Sequence, residues 1–423
     1  PSGAGQLGTG VEVAEIRRLR DCFLDMQYRG ENTALGYWEA RWDIIQKVEV
    51  ILNEPSDSGL SKVFEQFWQS LEDLSKNPES MAARAMVLER GKTLAETFNH
   101  LDAQFKALQS DIDSTIKVRV EEVNSFARQI ADLNLQIQKL EVGGQRANDL
   151  RDRRDLLLDQ LSKDIRIQVR EDAFGMVQVS IGGRLLVDGS RVDELDVEED
   201  SVSGFYKVVW KADRQDAQVT GGNIKGLLDV RDGLVQDIRD GLDKLAAALA
   251  EGVNSIHKAG CGLNGSTGID FFTKNTDATV KAGNITVNTD LENLSNIAAA
   301  KNYGTDTNPI FDKGDGSNAL ALAQLLKQEK IDGLGGTTFE DYYQAMIGEL
   351  GVQGQQAKRM AENQQLLVSQ LDSSRQEVSG VSLDEEMVNM IRFQHAYAAA
   401  ARVITAIDEM LGVIIERLGL VGR

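Results

Sequence analysis

Three histidines, two cysteines and scattered clusters of carboxylates are the side chains from which any catalytic or metal site would be assembled. His100, His257 and His395 lack the HxxxH or HExxH spacing that sets two imidazoles on one helical face, so they read as solvated or packed histidines. Cys22 and Cys261 have no CxxC or Cys/His companion, which leaves isolated thiols instead of a metal knuckle or redox pair. Asp306, Asp312 and Asp315, with Asn308 and Asn318, carry calcium-type oxygens. A twelve-residue loop counted from Asp312, however, ends on Ala323 where a bidentate Glu is needed. The acidic run Asp193 to Asp200 reads as the solvated edge of a hairpin, because acid/base chemistry needs two carboxylates in unlike environments. Gly221 to Gly226 lacks the Gly-Lys-Ser/Thr ending of a phosphate loop and reads as a helix-entry turn, and no GxSxG elbow occurs. No catalytic residue, metal or cofactor is expected.

The elements that would have to position such groups are mostly helices. With 423 residues, 42% of them hydrophobic, and four prolines, the chain has apolar material for two or three cores and few interruptions. A first helix is expected over about Asp21 to Asn53, with Trp38, Trp42, Ile45, Val48 and Leu52 on one face, after an extended entry over Val11 to Ile16. Leu60 to Leu74 is again in helical register and closes at Asn77-Pro78, where Asn77 is placed to cap the next helix. From about Thr93 to Glu141 apolar residues recur without proline, predicting a rod of roughly 70 Å. Asn148 is expected to cap a short helix carrying the i,i+4 pairs Asp149–Arg153 and Arg151–Asp155.

At Ile165 the period changes to two. Ile165, Ile167 and Val169, then Val177, Val179 and Ile181, read as antiparallel strands, with Gly182-Gly183 as the tight turn into Arg184 to Val187 and a further strand over Phe205 to Lys211. Helical spacing returns from Leu227 to Val253, and the Gly/Asn/Thr-rich Ala259 to Asn318 is expected to complete the β domain. The fold class is therefore mainly α with an inserted small antiparallel β domain, an elongated helical bundle or coiled-coil rod plus β domain. The expected division is 1–164, 221–258 and 319–380 for the rod, 165–220 and 259–318 for the β domain, and 381–423 for a C-terminal assembly helix.

That last helix carries one seam: Leu383, Met387, Met390, Gln394, Tyr397, Ala401, Ile404, Asp408, Leu411, Ile415 and Leu418. Spacings of four and three keep the stripe facing one partner, and Gln394 and Asp408 penalise wrong registers. The formal net charge of -20 opposes binding to nucleic acid or an anionic membrane surface. No run reaches the roughly 18 apolar residues of a membrane helix, no cleavable signal is visible in the glycine-rich start, and the chain reads as soluble.

The segment Ser379-Gly380-Val381-Ser382-Leu383-Asp384-Glu385-Glu386-Met387, continuing through Phe393-Gln394-His395-Ala396-Tyr397 into Ala398 to Ala401, resembles the C-terminal signature of flagellar rod, hook and hook-associated proteins. Phe67 to Arg84, Asn148 to Asp155, Asn254 to Gly260 and Asp270-Phe271-Phe272 are similar to hook-associated proteins in particular, in the same order, over about Gly10 to Leu418. The resemblance implies a structural subunit of the hook-filament junction, exported through the flagellar type III apparatus and extracellular. It would stack in a ring of its own copies, bind hook protein on one side and the next hook-associated protein on the other, and meet an export chaperone beforehand. It also implies an N-terminal helix, absent from this sequence, that pairs with the C-terminal one, and an outer region over Ala259 to Asn318 shorter than in many relatives. Three alternatives stand beside this reading. The chain forms the neighbouring junction ring or the hook itself, the β domain hides an enzyme, or Leu383 to Leu418 is only an intramolecular bundle helix.

Overall fold

The computed structural model describes residues 18–143, 146–172, 174–275, 279–305, 307–328, 331–380 and 383–417. The extended entry expected over Val11 to Ile16 lies outside them. Packing separates a larger unit, Gln27–Val368, from a smaller one made of Pro1–Met26 and Ser369–Arg423.

Helices dominate the first part of the larger unit. α1 (Cys22–Leu52) runs to the Asn53–Gly59 loop, and α2 (Leu60–Lys76) buries Leu60, Val63, Phe64, Phe67, Trp68, Leu71 and Leu74, the face that their spacing of three and four dictates. The turn that follows differs from expectation. Asn77 ends α2, its N–H donating to the Asp73 and Leu74 carbonyls, and Ser80 caps the next helix by accepting from the Ala83 N–H at 3.3 Å. Glu79 and Ser80 separate the proline from the helix, so Pro78 is not in its first turn. α3 (Met81–Val142) then continues for 62 residues, roughly 93 Å, through the point where a separate rod was expected to begin. Gly91 does not break it; a Cβ there would lie 2.7 Å from the Phe271 ring, so the glycine admits an aromatic side chain against the helix.

α4 (Asn148–Asp164) begins without a side-chain cap, on Ala147, so Asn148 is helical instead of capping. Its charges also pair elsewhere than expected: Arg151 holds Glu141 at 2.7 Å and Glu171 at 2.6 Å, while Asp155 and Asp159 accept from Arg29. Ile165, expected to open a strand, instead closes α4 with its N–H on the Leu161 carbonyl.

β1 (Gln168–Glu171), β2 (Val177–Ile181), β3 (Arg184–Asp188) and β4 (Arg191–Val192) form one antiparallel meander in chain order, and β5 (Leu195–Glu199) pairs with β6 (Tyr206–Trp210). Gly182 and Gly183 make the β2–β3 turn at φ 55° and 88°, the left-handed conformations a glycine tolerates best. The acidic run is a hairpin strand as expected, but it is ion-paired instead of solvated: Asp193 meets Arg184, Glu194 meets Lys211 and Arg128, and Asp196 meets Arg214.

The chain returns through α5 (Gly222–Asp229), a π-helical stretch over Val230–Val235 and α6 (Gln236–Ala259). β7 (Gly260–Cys261) pairs with β10 (Ala300–Lys301), and β8 (Phe272–Lys274) with β9 (Ile285–Val287). These strands do not extend the earlier sheet; Phe271 and Phe272 pack on Phe67 of α2 at 5.6 and 5.8 Å between ring centres. α7 (Ser317–Gln328) and α8 (Phe339–Ser379) follow, with Gly354 of α8 against Ile45 and Trp42 of α1. One continuous apolar core joins α1 through α8 and both sets of strands.

What fixes the strands on the helices is a polar rail along α3, buried except at the half-buried Asn99. Asn99, Asp102, Gln109, Asp113, Asn124 and Asn134 share one side of the helix. Asn134 accepts from the Val177 N–H at 3.1 Å and donates to its carbonyl at 2.9 Å; Asn124 does the same to Leu195 at 2.9 and 2.8 Å. Asp113 accepts from the Tyr206 N–H at 2.9 Å. Each grips the first residue of a strand (β2, β5 and β6), where a backbone group would otherwise be buried without a partner.

Candidate assembly surface

The smaller unit is built around α9 (Leu383–Arg417), helical because alanines and straight-chain residues fill it and no proline or interior break interrupts it. Asp384, Glu385 and Glu386 in its first turn complement the positive end of the helix dipole. Every described member of the expected seam is exposed: Leu383 at 80%, Tyr397 at 78% and Ile415 at 74%, with Met387, Met390, Ile404 and Leu411 at least half exposed and Gln394, Ala401 and Asp408 open as well. Leu418 lies outside the described residues. Exposed leucine, isoleucine and tyrosine at these fractions form a contiguous apolar surface, which on a soluble protein marks a place for a partner.

A second stripe was missed in the sequence. Phe393, Ala396, Ala400, Val403, Ile407, Met410 and Ile414 repeat at three and four as well, displaced by roughly 100° around the helix, and all are exposed. The signal was present, since each of these positions precedes one of the seam's by one residue. Two adjacent seams suit a helix that packs against two neighbours at once.

Within the same unit Leu19, Phe23 and Met26 repeat at four and three and are exposed. Asp25 ties this start of α1 to the end of α8, accepting from Arg375 Nε at 2.9 Å and Arg20 Nη1 at 3.0 Å.

The groups weighed for chemistry are spread over separate structural tasks. His257 is buried; its Nδ1–H donates to the Ile269 carbonyl at 2.7 Å and its Nε2 accepts the Ala298 N–H at 3.0 Å, and desolvation pushes its pKa down to about 4. His100 contacts Gln104 on the surface of α3, and His395 is exposed on α9. Cys22 is exposed and Cys261 buried, both free thiols, and burial raises the Cys261 pKa. Asp315 accepts from Ser317 and from the Lys301 N–H, Asp312 from the Gly314 N–H, and Asn318 donates to the Ala298 carbonyl; Asp306 lies outside the described residues. Among the described residues no group of three His, Cys, Asp or Glu is placed to hold a metal ion.

Three of the segments that resemble hook-associated proteins meet in one knot. Asn254 accepts from the Phe271 and Phe272 N–H groups at 2.8 and 2.9 Å and donates to the Phe272 carbonyl at 2.7 Å. Phe67 packs on both rings, and Arg84, 1% exposed, donates to the Pro78, Leu294 and Ile297 carbonyls. Those motifs therefore specify a fold junction.

A mainly helical scaffold bearing small antiparallel sheets and a terminal helix with two exposed apolar seams defines a subunit made for assembly. The family described as Flagellar hook-associated protein FlgK helical domain matches residues 45–272, and that described as Flagellar basal body rod FlgEFG protein C-terminal matches residues 372–417. Flagellar hook-associated protein 1 of Bacillus subtilis is 34% identical, covering 99% of this chain and 88% of its own length; the Escherichia coli protein of that name is 27% identical over 97% and 90%. The flagellar hook junction protein FlgK from Burkholderia pseudomallei shares the fold, with a TM-score of 0.73 at 18% identity over 84% of this chain and all of that one. The chain belongs to the FlgK family of flagellar hook-associated proteins, and it is a component of the flagellum. Among the described residues no helix is long and apolar enough to cross a membrane.

Proposed function

We propose that the chain is the structural subunit of the hook-filament junction, and the observation that carries the reading is α9, whose two exposed seams sit beside a chain-long match to hook-associated proteins. In this reading the subunit closes into a ring with its own copies, touches hook protein on one side and the next hook-associated protein on the other, and works outside the cell. An export chaperone covers the seams of α9 before assembly, because an exposed apolar helix otherwise invites aggregation. In this reading the role is mechanical, with no catalytic step. The match over 372–417 alone would suit any axial subunit, so residues 45–272 carry the assignment to this junction.

Hydrogen exchange on the isolated subunit tests the reading. Amides of Leu383–Arg417 are expected to exchange fast beside a protected α3, and to slow when the chain is incorporated between hook and filament. Hooks and filaments that join normally without residues 383–417 would exclude it, and a different missing layer in a deletion strain would assign the chain to a neighbouring axial position.

A further inference from the structure

Along α2, the loop after α1 and the first turns of α8 border an open cavity of about 530 Å³ in the larger unit. Phe64, Trp68, Phe339 and Tyr343 line it, all of them buried, with Phe64 and Phe339 stacked at 6.1 Å. Its polar lining is unbalanced: Glu54, Glu65, Glu72 and Glu340 face it against Lys62 alone, and Lys62 is already bound to Glu65 at 2.6 Å. Glu54 accepts from the Ser61 N–H and from the Tyr343 hydroxyl, and Glu340 accepts from the Gln344 amide at 3.1 Å, but neither Glu72 nor Glu340 has a cationic partner among the described residues. Tyr343 is 2% exposed and spends its proton on Glu54 at 3.3 Å, and no donor reaches its oxygen among the described residues. A buried oxygen with free lone pairs, two carboxylates that no cation neutralises and an aromatic wall share one requirement: a cation that donates several hydrogen bonds and has flat or apolar faces.

We infer that this cavity receives an arginine side chain on an exposed segment of a partner protein, with the guanidinium between Glu72 and Glu340 and its plane or stem against Trp68 and Phe64. Arginine suits the site better than lysine because a planar fork pairs with carboxylates while stacking on a ring, and a compact ammonium does not. The volume exceeds one side chain and leaves room for an apolar neighbour, within the usual range for a formed pocket. The inference takes from the assembly reading only that the partner is a protein. The pocket is in the larger unit, apart from α9, so it can be tested on the isolated full chain whether or not the junction role holds.

The probe is the blocked dipeptide acetyl-Arg-Leu-amide, titrated at low salt and followed by the Trp68 indole resonance, assigned with Trp68→Phe. Saturable binding is expected, weakened at least tenfold by the double substitution Glu72→Gln/Glu340→Gln and several-fold by 0.5 M salt. The citrulline dipeptide is expected to bind at least tenfold more weakly, and the lysine one more weakly than arginine. Unchanged melting of the double variant would show that its loss is local. The proposal is overturned by absence of saturable binding, by equal binding of arginine and citrulline, by lysine binding as well as arginine, or by affinity that survives the double substitution in a folded protein.

Discussion

Asn134 carries more of the fold than its type suggests. It is fully buried, grips Val177 by both backbone groups, donates to the Gly189 carbonyl at 2.7 Å and accepts from Arg154 at 3.0 Å. Asn134→Ala strands all of these at once, so a loss of about 2–4 kcal/mol is expected in denaturant unfolding with an unchanged slope. Two buried titrating groups oppose each other. Burial lowers His257 from 6.5 to about 4, so the unfolded chain binds the extra proton between those values and stability falls as pH drops from 6.5 to 4. Burial raises Asp164 from 3.8 to about 6 despite Arg119 nearby, so here the folded chain holds the proton and stability falls as pH climbs through that window. Each effect is about 3 kcal/mol, and between pH 4 and 6 they largely cancel. Removing one unmasks the other: Asp164→Asn should gain stability with rising pH over this range and His257→Gln should lose it. Parallel pH curves for the two variants would contradict this pairing.

Elements with a clean period were legible in the sequence, and elements set by single side chains were not. α2 and the first seam of α9 follow from spacing alone, and so does the change from period 3.6 to period 2 near Ile165. The rail on α3 was not visible, because an asparagine inside a helix has the same local pattern whether it faces water or grips a strand. The choice of Ser80 over Asn77 as cap depended on a turn that Pro78 only partly specifies, and the π-helical Val230–Val235 leaves no mark in a hydropathy pattern. Both exposed stripes of α9 have the same spacing, so the sequence carries the second as plainly as the first. Val403→Asp tests the second. The side chain is exposed, so monomer stability should change by less than about 0.5 kcal/mol, while joining of filament to hook in a complemented strain is expected to fail, as is also expected for Ile404→Asp. Normal joining with Val403→Asp would leave α9 with one working face.

As a whole the chain carries a net charge of -20, and copies brought together as proposed repel one another. The Debye length falls from about 30 Å at 0.01 M salt to about 8 Å at 0.15 M. Self-association of the isolated chain, followed by sedimentation, should therefore strengthen over that range. Weakening instead would mean that ion pairs, and not the apolar seams of α9, hold the copies together.

The rail on α3 also offers the chain an order in which to close its long loops. Asn134 reaches 43 residues along the chain to Val177, Asn124 reaches 71 to Leu195, Asp113 reaches 93 to Tyr206, Gln109 reaches 122 to Arg231, Asp102 reaches 137 to Arg239 and Asn99 reaches 186 to Ile285. Closed singly, the last of these would be a slow loop to form. Closed in sequence from the far end of the helix, each needs only the short stretch added since the one before. A chain with distant contacts can thus fold like a zip fastener, one tooth at a time, with the helix as the fixed tape.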